Sequence, residues 1–176
     1  MTVIRHCASL LLAGLLGAAT VGSTLAAADD LQLAKSATAR FNSLTQAAKV
    51  GYGLPPAGPL HECIASFDGT GAMGYHYVNG SLIDTVLDPA RPEALVYAPD
   101  ADGKLTLAAL EYVVFAEPWM AEHGAEMPMV LGQELMLVEA PNRYELPAFF
   151  ALHAWIWKPN PEGTFANFNP AVSCPE

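Results

Sequence analysis

Residues 53–60, GLPPAGPL, divide this chain of 176 residues into two parts that follow different rules. Three prolines and two glycines in eight residues remove backbone donors and restrict φ, so the segment is neither helix nor central strand but a connector. Before it, Asp29-Asp30 leads into LQLAKSATARFNSLTQAAKVGY, where Ala34, Ala37, Phe41, Leu44 and Ala48 recur at spacings of three and four. That stripe predicts an amphipathic helix over 29–52, with acids at its start, Gly51 and Gly53 at its end, and one packing face. From His61 onward, short apolar runs alternate with turn residues. Ala94–Ala98, PDADG at 99–103 and KLTLAALEYVVF at 104–115 predict a hairpin turning at Asp102-Gly103. Phe149 to Trp157 is a second β-like run, closed by Lys158-Pro159-Asn160-Pro161. Residues 116–132 carry Pro118, Gly124 and Pro128 and read as a long loop with room for one helical turn. The tail, KPNPEGTFANFNPAVSCP, reads as ordered but irregular and pinned by Cys174. No repeat and no long linker interrupts this order. The expected architecture is one α+β domain, mainly β: an N-terminal helix, then an antiparallel sheet or small barrel over 61–176, ending in an irregular tail.

Residues 1–28 have the pattern of a secretory signal. Arg5, with His6, supplies the basic end, Leu10 to Leu16 is an apolar core, and small residues end in Ala26-Ala27-Ala28 before Asp29-Asp30. A retained membrane anchor is the alternative, because Cys7 to Ala28 runs 22 residues without charge. Gly, Ser and Thr dilute its second half, which favours cleavage. Cys7 precedes the apolar core, which argues against lipid attachment. The mature chain, 29–176, would be exported to the periplasm or secreted. Without Arg5 it holds seven basic residues against 18 acidic ones, a net charge of -11. That excess of acid excludes nucleic acid and anionic membrane surfaces as natural partners. The hydrophobic content of 52% excludes a disordered chain.

Export changes what the cysteines mean. With Cys7 gone, Cys63 and Cys174 form an even pair in an oxidising compartment, and a disulfide would tie the start of the β-rich body to the tail. Two metal-binding thiols are the alternative, for which there is no CxxC spacing.

Three polar residues stand out within apolar runs. His76 lies in GYHYVN, flanked by aromatics, and His153 lies in FFALHAWIW, where Ala151, His153, Trp155 and Trp157 would share a strand face. Glu111 interrupts LEYVVF; if that strand is covered on both faces, its carboxylate needs a proton, a cation or a metal. Two imidazoles and one carboxylate converging from separate strands would make a facial triad for a divalent metal such as zinc, iron or manganese. The opposing reading makes both histidines core residues and places Glu111 on a wet face. His61, two residues before Cys63, is a possible further ligand, and so is His123.

Met120, His123, Met127, Met129 and Met136 form a softer donor set suited to Cu(I), although Glu122 and Glu126 alternate with them and methionine also fills irregular apolar gaps. Copper is therefore less expected than the harder ions. The letters of GxGxxG occur at Gly69, Gly71 and Gly74, but without a βαβ context they read as a turn. Ser66, Ser81 and Ser173 lack the setting of a hydrolase nucleophile. Tyr75, Tyr77, Trp155 and Trp157 could instead line a pocket for an apolar molecule.

The segments CIASFDGTGAMGYHYVNG and LHAWIWKPNPEGTFANFNPAVSC, with those around them over residues 37–175, resemble a family of exported, mainly bacterial proteins. The resemblance implies a single domain behind a signal peptide and carries no activity or substrate. The leading expectation is thus an exported domain that binds a divalent metal or small ligand through His76, Glu111 and His153. A metal-free binding module and an envelope structural or interaction protein are the alternatives.

Overall fold

Eleven residues from Leu105 to Phe115 form a strand rich in β-branched, aromatic and aliphatic side chains, and the fold is built outward from it. In the computed structural model, which describes residues 20–175, it is β4 of a six-stranded antiparallel sheet. The other strands are β1 (Ile64–Ala65), β2 (Ala72–Val78), β3 (Ala94–Pro99), β7 (Met136–Val138) and β8 (Phe149–Ala154), in spatial order β1-β2-β3-β4-β8-β7. The sheet curls into a half-barrel and keeps two edges, β1 and β7. Two short strands, β5 (Met129–Val130) and β6 (Gln133–Glu134), form a separate ribbon. The fold is α+β and mostly strand, as expected, with three α-helices among the described residues: α1 (Thr20–Thr38), α2 (Leu44–Lys49) and α3 (Ala116–His123).

The β3–β4 hairpin forms where the sequence places it. Pro99 pairs with Leu105, Gly103 takes a positive φ of 78°, and the Asp100 carboxylate accepts from the backbone N–H of Asp102 and Lys104 at 3.0 Å each. Further along, Val96 pairs with Ala109 but Tyr97 pairs with Leu107, which leaves Ala108 as an extra residue on β4. This bulge resets the two-residue period. Leu107 therefore shares a face with Leu110, Tyr112 and Val114, all packed against Phe41 and Ala47. Ala109, Glu111, Val113 and Phe115 fall on the other face.

The predicted helix over 29–52 is interrupted. A 3-10 turn at Ala39–Asn42 and an extended Ser43 (φ -103°, ψ 113°) separate α1 from α2. The break rephases the stripe, so Ala34, Phe41 and Ala47 are buried while Ala48 is exposed. Buried polar groups join this layer to the sheet: Tyr97 Oη donates to the Phe41 carbonyl at 2.6 Å, and Trp157 Nε1 donates to Thr38 Oγ1 at 3.1 Å. Residues 1–19 of the expected leader lie outside the described residues. No helix among the described residues is long and apolar enough to cross a membrane.

Residues 116–123 correct the expectation of a loop. They form two turns of helix because Pro118 is the third residue of α3, where a backbone N–H has no intrahelical partner to lose. The Gly69-Gly71-Gly74 segment is a turn leading into strand β2 and not into a helix, which removes the phosphate-loop possibility.

The tail has little regular structure yet many fixed contacts. Asn169 exchanges backbone bonds with Ala72, and Val172 packs with Trp155 over Val96, Ala98 and Ala108. Cys63 and Cys174 lie at disulfide distance, with sulfurs 2.06 Å apart. Their separation of 111 residues places the bond among those that close a large loop, for which chain entropy gives roughly 4–5 kcal/mol before native strain. Replacing both cysteines by serine should lower unfolding stability by about 2–5 kcal/mol. Denaturant titration of the variant against the oxidised parent checks this; equal midpoints would show that the tail is held by packing alone.

Candidate metal centre

His76 on β2, Glu111 on β4 and His153 on β8 project from the sheet face opposite the helices. Glu111 pairs directly with His153 across β4 and β8, and with Ala94 across β3 and β4. His76 sits one strand further, opposite Val96. With only Ala94 and Val96 between them, the side chains of β2 and β4 meet above β3. Gly74 allows β2 its close approach: a Cβ there would lie 2.5 Å from the Tyr97 carbonyl oxygen, and its φ is 110°.

The three side chains converge. His76 Nε2 lies 3.2 Å from His153 Nε2 and 3.3 Å from Glu111 Oε2, and His153 Nε2 lies 3.6 Å from Glu111 Oε1. An ion bound at about 2.1 Å would hold neighbouring ligand atoms about 3.0 Å apart at octahedral angles and about 3.4 Å apart at tetrahedral ones. The two nitrogens are at that spacing and each has one Glu111 oxygen near it, so the group could hold a metal ion. His153 Nδ1 lies 3.1 Å from the Asn167 carbonyl oxygen. An N–H is needed there, which leaves the Nε2 lone pair of a neutral His153 facing the other two residues. His76 Nδ1 is buried and has no hydrogen-bond partner among the described residues.

Burial sets the charge state. It holds His76 down at about 4, opposed in part by the Gly74 backbone, and holds His153 at about 3, with His76 adding to the effect. Both imidazoles are neutral at neutral pH, as metal ligands must be. Burial also raises Glu111 to about 8, helped by the charge of Glu93. A cation would favour the ionised carboxylate and displace its proton.

Glu111 and His76 line the floor of a cavity of about 380 Å³. Its walls are mostly apolar: Leu60 and Pro59 from the connector, Ile83, Val113, Phe115 and Phe149. Three polar side chains not anticipated from the sequence join them, Glu93, Tyr144 and the exposed Glu145. Glu93 is 1% exposed, and its Oε2 accepts from the Val113 backbone N–H at 2.9 Å; burial raises its carboxyl to about 8. Tyr144 also lines the cavity, with its hydroxyl 3.7 Å from Met73 Sδ. In sequence, Glu93 is an acid beside Pro92 at the start of a strand, which resembles any solvated turn. Its burial depends on Val113, twenty residues away.

The remaining candidates lie elsewhere. His61 is exposed and donates from Nδ1 to the Pro55 carbonyl at 2.7 Å, bracing the connector. His123 stacks on Trp119 with ring centroids 3.9 Å apart. Met120, Met127, Met129 and Met136 are all exposed, so they fill no gap beneath the loop. The four aromatics expected to form an apolar pocket do not line this cavity. Trp155 is buried beneath the tail, donating from Nε1 to the Ala166 carbonyl at 2.6 Å. Trp157 turns to the helical side, and Tyr77 packs edge-on against Tyr97. Tyr75 neighbours His76 on β2 and so points from the opposite face.

Comparisons with protein-family models, curated proteins and solved structures find no match, so the geometry alone carries the functional reading.

The buried groups predict a pH profile for the metal-free protein. Folded Glu93 and Glu111 keep their protons up to about 8, but the unfolded chain releases them near 4.5, so their contribution to stability is lost as pH rises through that window. The histidines act in the opposite sense. Unfolded imidazoles take protons near 6.5, and the folded ones only at about 4 and 3, so stability falls as pH drops below 6.5. The two trends offset each other between 4.5 and 6.5. Chelator-treated protein should therefore melt highest in that interval and lose stability toward pH 8. Glu93→Gln, which keeps an oxygen for Val113, should remove part of the alkaline decline; an unchanged slope would exclude Glu93 as its source.

Proposed function

We propose that this protein is an exported small domain that binds one divalent metal ion through His76, Glu111 and His153, at the floor of a cavity open to a small molecule. The observation that carries the reading is the convergence of three buried groups: the two Nε2 atoms lie 3.2 Å apart, and Glu111 reaches His76 through Oε2 at 3.3 Å and His153 through Oε1 at 3.6 Å. Two neutral imidazoles and one carboxylate suit zinc, iron or manganese better than copper, which favours softer or more numerous nitrogen and sulfur donors. Three protein ligands leave open positions, and an ion held this way supplies Lewis acidity or a more acidic bound water. His76 and His153 would serve as neutral ligands and Glu111 as the anionic one. The cysteine pair and the leader pattern support an oxidising, exported location. The acidic charge supports a metal ion and a small molecule as partners over nucleic acid or an anionic membrane.

Metal content by plasma mass spectrometry tests this on mature protein recovered from an oxidising compartment without chelator or His-tag. Close to one ion per chain is expected, and His153→Ala should lose it with its circular dichroism unchanged. Glu111→Gln should weaken binding by about 100-fold or more, because it removes the anionic ligand. No ion even after reloading, or unchanged stoichiometry in His153→Ala, would overturn the reading.

The apolar walls favour a second reading, a metal-free site for an apolar molecule. It predicts ligand binding that chelation leaves unchanged, together with no retained ion.

A further inference from the structure

Glu93 is the one cavity-lining carboxylate that is almost wholly buried yet stands outside the metal triad. Its only side-chain hydrogen bond to a described residue is the one from Val113 N–H, and a carboxylate can accept several more. No lysine or arginine lines the cavity. Two arginines lie near its lining residues in sequence; Arg91, two residues before Glu93, is the weakest influence on that carboxyl, and both hold other partners. Arg91 is bonded to Asp88 at 2.9 Å, and Arg143 donates to the Ala65 carbonyl while lying over the Phe67 ring. The remaining charged side chains on the wall, Glu111 and Glu145, are also acidic. With no cation against it, the buried Glu93 carboxyl keeps its proton, and apart from an ion at the triad a bound ligand is the remaining source of positive charge that would let it ionise on this wall.

We propose that the cavity takes a small apolar molecule bearing a protonated amine, with Glu93 as the counter-charge and the walls of Leu60, Ile83, Phe115 and Phe149 around its apolar body. This rests on the cavity being a small-molecule site, and not on which ion the triad holds. Apart from an ion at the triad, the wall offers nothing to neutralise a carboxylate or phosphate on the ligand, so the metal-free cavity rejects anionic molecules of the same shape. Glu93 keeps its bond to Val113 in the complex, since that bond uses one lone pair of Oε2.

Isothermal titration with 2-phenylethylamine, 2-phenylethanol and phenylacetate tests the proposal, on protein as purified and again after chelation. After chelation the amine should bind about tenfold or more tighter than the alcohol or the acid, and in the loaded protein its preference over the alcohol should remain. Glu93→Gln should abolish that preference, bringing the amine's affinity down to that of the alcohol. Phenylacetate binding the chelated protein as tightly as the amine, or a preference that survives in Glu93→Gln, would overturn the amine assignment and leave the cavity reading in place. Binding of none of the three would overturn both. The comparison of amine with acid in the parent protein decides the matter even if Glu93→Gln does not fold. Metal content measured on the same samples shows separately whether the triad reading fails.

Discussion

The register of β4 between β3 and β8 places Glu111 beside His153 and Ala94, and one residue of slip would turn that carboxylate into the layer packed against the helices. The bulge at Ala108 makes the register compatible with a continuous core. It lets Leu107 join Leu110, Tyr112 and Val114 on one face although the simple alternation would separate them. The β3–β4 hairpin, anchored by Asp100 and Gly103, holds the strand in that phase. The meeting of His76, Glu111 and His153 is thus a by-product of the same pairing that buries the core.

Irregular chain closes what the sheet leaves open. Toward the hairpin, the site-bearing face is covered by Trp155 and by Val172 of the tail, and Asn169 pairs with Ala72 where Gly71 leaves room for it. Toward the other end, the connector supplies Pro59 and Leu60, and Leu146 and Tyr144 face them from the loop before β8. The disulfide joins the residue just after the connector to the tail, so both covers are tethered at one point. An enclosed polar floor follows, and with it the depressed imidazoles and raised carboxyls.

Much of this was legible in residue pattern. Turn chemistry and alternation located the hairpin, the proline-rich connector marked the change from helix to strand, and cysteine parity together with the leader paired Cys63 with Cys174. His76, Glu111 and His153 stood out because each places a polar group inside an apolar run, which is costly unless the groups meet. The pattern misled where local signals are ambiguous. Pro118 was read as a helix breaker although the first turn of a helix tolerates it. The stripe through Ala48 continued in sequence past a break at Ser43 that periodicity does not register. The Phe149–Trp157 run placed Trp157 on the His153 face, but the chain leaves the strand after Ala154 and turns it to the helical side.

Sequence alone determined the connector, the β3–β4 hairpin, the acidic charge and the three residues whose chemistry demanded company, because those follow from backbone propensity, turn chemistry, composition and the cost of burying polar groups. Tertiary structure alone decided that they meet, and that Glu93 and Tyr144 join His76 and Glu111 around one cavity. Those facts depend on strand order and on a one-residue bulge. Contacts between residues 76, 111 and 153 are set by which strands are neighbours, and no local pattern encodes that.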